Sequence, residues 1–162
     1  MPLYGGSLDA AFIRKISREY VNRIVSEEVG YYKLSLADTV TNIYGEAKNK
    51  VYYNPVLLAC IVERNPQTTE EQDYGASTNR LIDFSFLKPD LITLQLVPER
   101  GDIILWNESY YEVDNVIEDQ LTVGKDPNYA ISNGNEKYGQ SLSIICNTHL
   151  TRVNKLSLVQ SR

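Results

Sequence analysis

The stretch Gly101-Asp102-Ile103-Ile104-Leu105-Trp106-Asn107-Glu108-Ser109-Tyr110-Tyr111-Glu112-Val113 decides the fold class. Pro98 to Asp102 reads as a turn, Ile103 to Trp106 as a strand, Asn107-Glu108-Ser109 as a tight connection, and Tyr110 to Ile117 as the returning strand. Tyr111, Val113 and, after an offset, Val116 face a core, while Glu112 and Asp114 face water. A hairpin with one wet face belongs to an antiparallel sheet that closes or stacks on itself.

Working outward, Leu81 to Lys88 is a strand, and Pro89-Asp90 starts a short turn or helix through Leu96. Val51 to Glu63 is a Val-, Ile- and Tyr-rich strand interrupted by Pro55, so it lies at an edge, carries a bulge, or starts after the proline. Leu142 to Thr148 is the last strand, followed by a polar tail, 151–162. Tyr31 to Gly45 is open between strand, short helix and extended arm. Two polar stretches, 64–80 and 124–139, show no periodicity and read as long loops. There is no internal repeat.

Upstream, Ser7 is a helix cap with Asp9 in the first turn. Leu8, Phe12, Ile16, Tyr20 and Ile24 then recur at helical spacing, with Ile13, Val21 and Val25 beside them and charged residues opposite. Gly30 reads as the C-terminal cap. The expected architecture is one domain, 1–162, mainly β with an N-terminal α-helix. It comprises an amphipathic helix, 1–30, and a small antiparallel β-barrel or sandwich, 51–150, with two long loops. The helix stripe packs either on the sheet or on a neighbouring subunit.

The 162 residues are 43% hydrophobic and 23% charged, with a net charge of −5 and a pI near 4.9. An acidic chain is poorly suited to gripping phosphates, though DNA can slide past such a surface. Twelve tyrosines against three phenylalanines and one tryptophan suit half-buried sheets and protein interfaces. Cys60 and Cys146 both sit in apolar runs and read as buried, reduced thiols. No signal peptide is visible, and no apolar stretch nears the ~20 residues that span a bilayer. The expectation is a soluble protein made in a reducing cytoplasm, without membrane association.

Catalytic constellations are missing. One histidine, His149, and two buried-looking thiols do not make a zinc site. Ser143 lies near His149, but no motif sets a nucleophile on an elbow. The acid pairs Glu70-Glu71 and Glu118-Asp119 occupy polar turns, where solvated carboxylates are commonest. Tyr4-Gly5-Gly6-Ser7 lacks the lysine and the preceding strand of a phosphate loop. The reading is a protein that is not an enzyme and has no cofactor or metal. A single-strand nucleic-acid-binding barrel remains as an alternative: Trp106, Tyr110 and Tyr111 offer rings for stacking. Against it, Glu99 to Asp119 holds seven acids and one base, Arg100.

Three stretches in order resemble the neck (head-closure, stopper, head–tail connector) proteins of contractile-tailed bacteriophages. They are Leu8-Asp9-Ala10-Ala11-Phe12-Ile13, the segment from Tyr44-Gly45-Glu46-Ala47-Lys48 to Asn49-Lys50-Val51-Tyr52, and the Gly101–Val113 hairpin. The resemblance implies a homo-oligomeric ring, a hexamer or a dodecamer, in the virion neck after assembly in the host cytoplasm. Portal or adaptor would lie on its head side and tail terminator on its tail side, with genomic DNA crossing the lumen unbound. A tail terminator or other virion β-barrel is the alternative within the class. The residues assigned to subunit or partner contacts are Phe12, Ile16 and Tyr20 on the helix, Glu70, Asp73 and Tyr74 in the first loop, and Lys125, Asn128 and Tyr129 in the second.

Overall fold

The computed structural model describes residues 7–39, 50–66, 68–72, 75–118 and 142–151. Helix α1, Ser7–Glu19, runs into a π-helical turn, Tyr20–Val25. Strand β1 is Glu27–Tyr32 and β2 is Val56–Arg64. Strands β3, Thr68–Gln72, and β4, Gly75–Asn79, form a separate two-stranded ribbon. Then follow β5 (Leu81–Leu87), α2 (Lys88–Thr93), β6 (Ile103–Trp106), β7 (Ser109–Ile117) and β8 (Ser143–Thr151).

Six strands close a barrel in the order β1-β2-β5-β8-β7-β6, with β6 returning to β1 and every pairing antiparallel. Barrel rather than sandwich is therefore the outcome. Alternation along each strand fills the interior: Val29 and Tyr31 from β1, Phe84 and Phe86 from β5, Tyr111 and Val113 from β7 are all buried in one cluster. The expected offset on the returning strand is a β-bulge between Val113 and Asn115, after which Val116 packs on the core.

Strand β6 is apolar at every position because both its faces are covered. Ile104 and Trp106 point into the barrel. Ile103 and Leu105 point outward, into a second cluster with Tyr32, Tyr110 and Tyr52. Tyr52 arrives on an arm that extends the β1–β2 pair: Ser35 N–H donates to Val51 O at 2.8 Å and Tyr53 N–H to Lys33 O at 2.9 Å. Thus Tyr31 to Thr39 is strand and then arm, and β2 begins after Pro55, where the chain is free of the proline's missing donor.

Two expectations are corrected. The helix does not reach Gly30. It stops at Val25, where Ser26 takes the left-handed cap (φ 50°) and its N–H donates to Val21 O at 2.9 Å. Gly30 lies inside β1 between Leu57 of β2 and Leu105 of β6. Residues 64–80 are not a loop throughout, because they hold the β3–β4 ribbon. The 124–139 loop lies outside the described residues, as does the tail beyond Thr151.

Candidate functional site

The helix supplies the most unusual surface. Phe12, Ile16, Tyr20 and Ile24 are 64%, 49%, 48% and 72% exposed, whereas Val21 is buried, at 2%, alone among the described side chains of this segment. Four large apolar side chains four residues apart make one stripe on a helix. The π-helical turn carries that stripe on to Ile24. Arg18 ties the helix to α2 through Asp90 at 3.3 Å. Between helix and barrel wall lies an apolar groove of about 370 Å³, with Ile16, Tyr20 and Val21 on one side and Ile61, Phe86 and Leu87 on the other. The helix is thus anchored on the barrel through Val21 and to α2 through Arg18, and it leaves about half or more of each stripe side chain exposed.

The second notable cluster is buried and polar. Asp102 is fully buried beneath the turn that precedes β6. Its Oδ2 accepts from the Tyr31 hydroxyl at 2.6 Å, from Glu99 N–H at 2.8 Å and from Lys33 Nζ at 3.1 Å. Its Oδ1 accepts from Leu34 N–H at 2.9 Å. Lys33 also donates to Val97 O and to the Glu99 carboxylate, at 2.8 and 2.7 Å. Burial, then the charge of Asp102, drives the Tyr31 hydroxyl far above the usual tyrosine range, so it stays a donor. Gly101, at φ +87°, turns the chain so that Asp102 points inward. Every acceptor position around this carboxylate is supplied from within the chain, which makes it a latch for β1, the arm and β6 rather than a reactive acid.

Nothing among the described residues forms a catalytic set. His149 lies on the outer face of β8, its Nδ1 2.8 Å from the Asp114 carboxylate, with both side chains well exposed. Ser143 and His149 are six residues apart on one extended strand, about 20 Å. Cys60 and Cys146 are buried and unpaired, as expected, and burial pushes both thiols up to about 12. Glu118 pairs with Lys88. Among the described residues no group of three or more His, Cys, Asp or Glu is placed to hold a metal ion. No helix there is long and apolar enough to cross a membrane.

The stacking platform considered for nucleic acid is covered. Tyr111 is 1% and Tyr110 7% exposed, one inside the barrel and one in the outer cluster, so neither ring is free for a base. Trp106 is packed against Phe84 and Tyr111, donates from Nε1 to Glu27, and carries the Arg64 guanidinium 4.9 Å from its ring centroid.

Of the nine contact residues named from sequence, Phe12, Ile16 and Tyr20 are brought together on one helix face. Glu70 is in β3. Asp73, Tyr74, Lys125, Asn128 and Tyr129 lie outside the described residues. Ile24 was missing from that set although its spacing continues the stripe.

No protein-family model matches the chain. No curated protein matches it either. Among solved structures it is similar to a chain described as "Virion of native gene transfer agent (GTA) particle", at 9% identity and a TM-score of 0.44, over 76% of this chain and 93% of that one.

Proposed function

We propose that this chain is a non-catalytic structural subunit of a phage-type virion, assembling as a homo-oligomeric ring in the neck that closes the DNA-filled head and joins it to the tail. The observation that carries the reading is the exposed stripe Phe12, Ile16, Tyr20 and Ile24 on a helix that its own barrel leaves uncovered. Contiguous apolar surface of this kind is a protein interaction site in a globular protein. Beside it stands a closed barrel whose polar interior group is fully satisfied and whose histidine and thiols have structural partners or burial. A net charge of −5 suits a ring that lets DNA pass without holding it.

In this reading the ring meets portal or adaptor on the head side and tail terminator on the tail side. The test is the mass of the purified protein by light scattering, followed by co-sedimentation with isolated heads and with isolated tails. A hexamer or dodecamer that binds heads is the expected result. An oligomer that binds tails alone moves the assignment to a tail terminator, and a monomer that binds neither overturns it.

A further inference from the structure

We propose that the open mouth of the barrel binds a compact oxyanion, a carboxylate or a phosphate group, held by Arg64 and Arg80 beside the Trp106 ring. Strand alternation places the first guanidinium. Leu58, Cys60 and Val62 of β2 pack on the core, and Arg64 is the next residue of that series, at the end of the strand. Arg80 stands one alternation ahead of the buried Ile82, and its carbonyl accepts from Leu150 N–H at 3.0 Å. The two arginines, with Asn65, Trp106 and Asn107, line a cavity of about 220 Å³. The other end of the barrel is plugged, because α2 follows β5 there and sends Leu91 into the core, with Leu96 packed against it. Barrel mouths of this kind are common places for small ligands.

The chemistry of the lining selects an anion. The Arg64 guanidinium lies 4.9 Å from the Trp106 centroid, and that ring is itself held by its N–H bond to Glu27 and by edge contact with Phe84. A stacked guanidinium keeps its N–H edge available, and this flat fork fits a carboxylate or phosphate through two parallel hydrogen bonds. Arg18, Lys33, Lys50 and Lys88 each meet a carboxylate, whereas Arg64 and Arg80 meet none among the described residues. Nearby acids are already engaged: Asp83 accepts from Asn65 and Asn147, and Glu27 accepts from Trp106. Two like charges on one small cavity are relieved by an anion set between them. The same acids favour a compact ligand. Glu27 stands beside Trp106 and Glu108 follows Asn107, so a nucleic-acid backbone laid over the mouth would meet carboxylates, while a single oxyanion reaches the arginines alone. This inference does not depend on the ring reading.

Trp106 is the one tryptophan of the chain, so its fluorescence reports on this cavity. The test titrates the full chain with inorganic phosphate and, separately, with succinate, at an ionic strength held constant with sodium chloride. A saturable emission change with a millimolar Kd is expected for at least one of the two, and the anion that saturates assigns the source. Calorimetry with the same anions checks the result without using the ring. Arg80→Gln leaves the contacts of Trp106 in place and is expected to keep the melting temperature while weakening binding about tenfold or more. Arg64→Lys keeps the charge, loses the fork and is expected to weaken it as well. The proposal is overturned if neither anion saturates, if chloride gives the same response, or if Arg80→Gln binds as wild type does. A single-stranded oligonucleotide that binds more tightly than both anions, and loses that binding in Arg80→Gln, overturns it in favour of a nucleic-acid contact.

Discussion

The Tyr31 hydroxyl donates to Asp102 across 2.6 Å, joining β1 to the start of β6 in a site where both residues are 0% exposed. Asp102 carries a charge in the barrel wall that is tolerable only because Lys33 and three further donors converge on it. Asp102→Ala leaves the buried Tyr31 hydroxyl and two backbone N–H groups without their acceptor, while Lys33 keeps Val97 O and Glu99, and is expected to cost about 3–5 kcal/mol. Tyr31→Phe removes one donor and is expected to cost about 1–3 kcal/mol. Urea unfolding of the two variants measures both, and equal losses would contradict the ranking.

The turn between β6 and β7 places Asn107 at φ 46° and Glu108 at φ 61°. Two consecutive left-handed residues are the signature of the hairpin turn that usually takes Asn-Gly. Asparagine tolerates the conformation, while glutamate is strained there by about 1–2 kcal/mol. Glycine's extra unfolded-state freedom returns about 0.5–1 kcal/mol of that. Glu108→Gly is therefore expected to stabilise the protein by about 0.5–1 kcal/mol, read as a rise of several degrees in Tm.

Both thiols are raised from 9.0 to about 12 in the folded chain, so the fold favours their protonated form. Their contribution is fully present below pH 9 and is lost as pH rises toward 12, at up to about 1.4 kcal/mol per thiol per pH unit. The raised tyrosines Tyr31, Tyr32 and Tyr52 start from 10.0 and act in the same direction at higher pH. Stability measured between pH 9 and 10 is expected to fall in the wild-type protein and to fall less in Cys60→Ala/Cys146→Ala. At pH 8 the folded protein is expected to resist a thiol reagent that labels both cysteines in denaturant.

On α1 and its π-helical turn, burial separates two kinds of apolar residue. Val21→Ala, at a side chain buried to 2% exposure, is expected to cost about 1–3 kcal/mol. Phe12→Ser, at 64% exposure, is expected to stay within about 0.5 kcal/mol. Thermal melts at low protein concentration, where no assembly contributes, decide it.

These contrasts show what the sequence could and could not convey. Alternation through Tyr111, Val113 and Val116 made the hairpin and even its bulge legible, because one face of that strand is dry and the other wet. The β3–β4 ribbon gave no such signal: Thr68–Gln72 and Gly75–Asn79 contain almost no apolar residue to alternate. Gly30 misled because a glycine after a helical pattern usually caps it, whereas here Ser26 does so four residues earlier. The Asp102 latch joins residues about seventy positions apart and has no spacing to read. Within the candidate site, the stripe was legible as a stripe, but its exposure was not, because helical periodicity is the same whether the covering surface belongs to this chain or to another.

The closed ladder of the barrel has a consequence for how this protein can change. With β1 bonded on both sides, to β2 and to β6, the described barrel has no edge strand. Recognition by the barrel unit then falls to side chains more than to an open backbone edge. If α1 is the docking element proposed above, a handful of substitutions on that one helix re-addresses the protein to a different neighbour while its scaffold stays untouched.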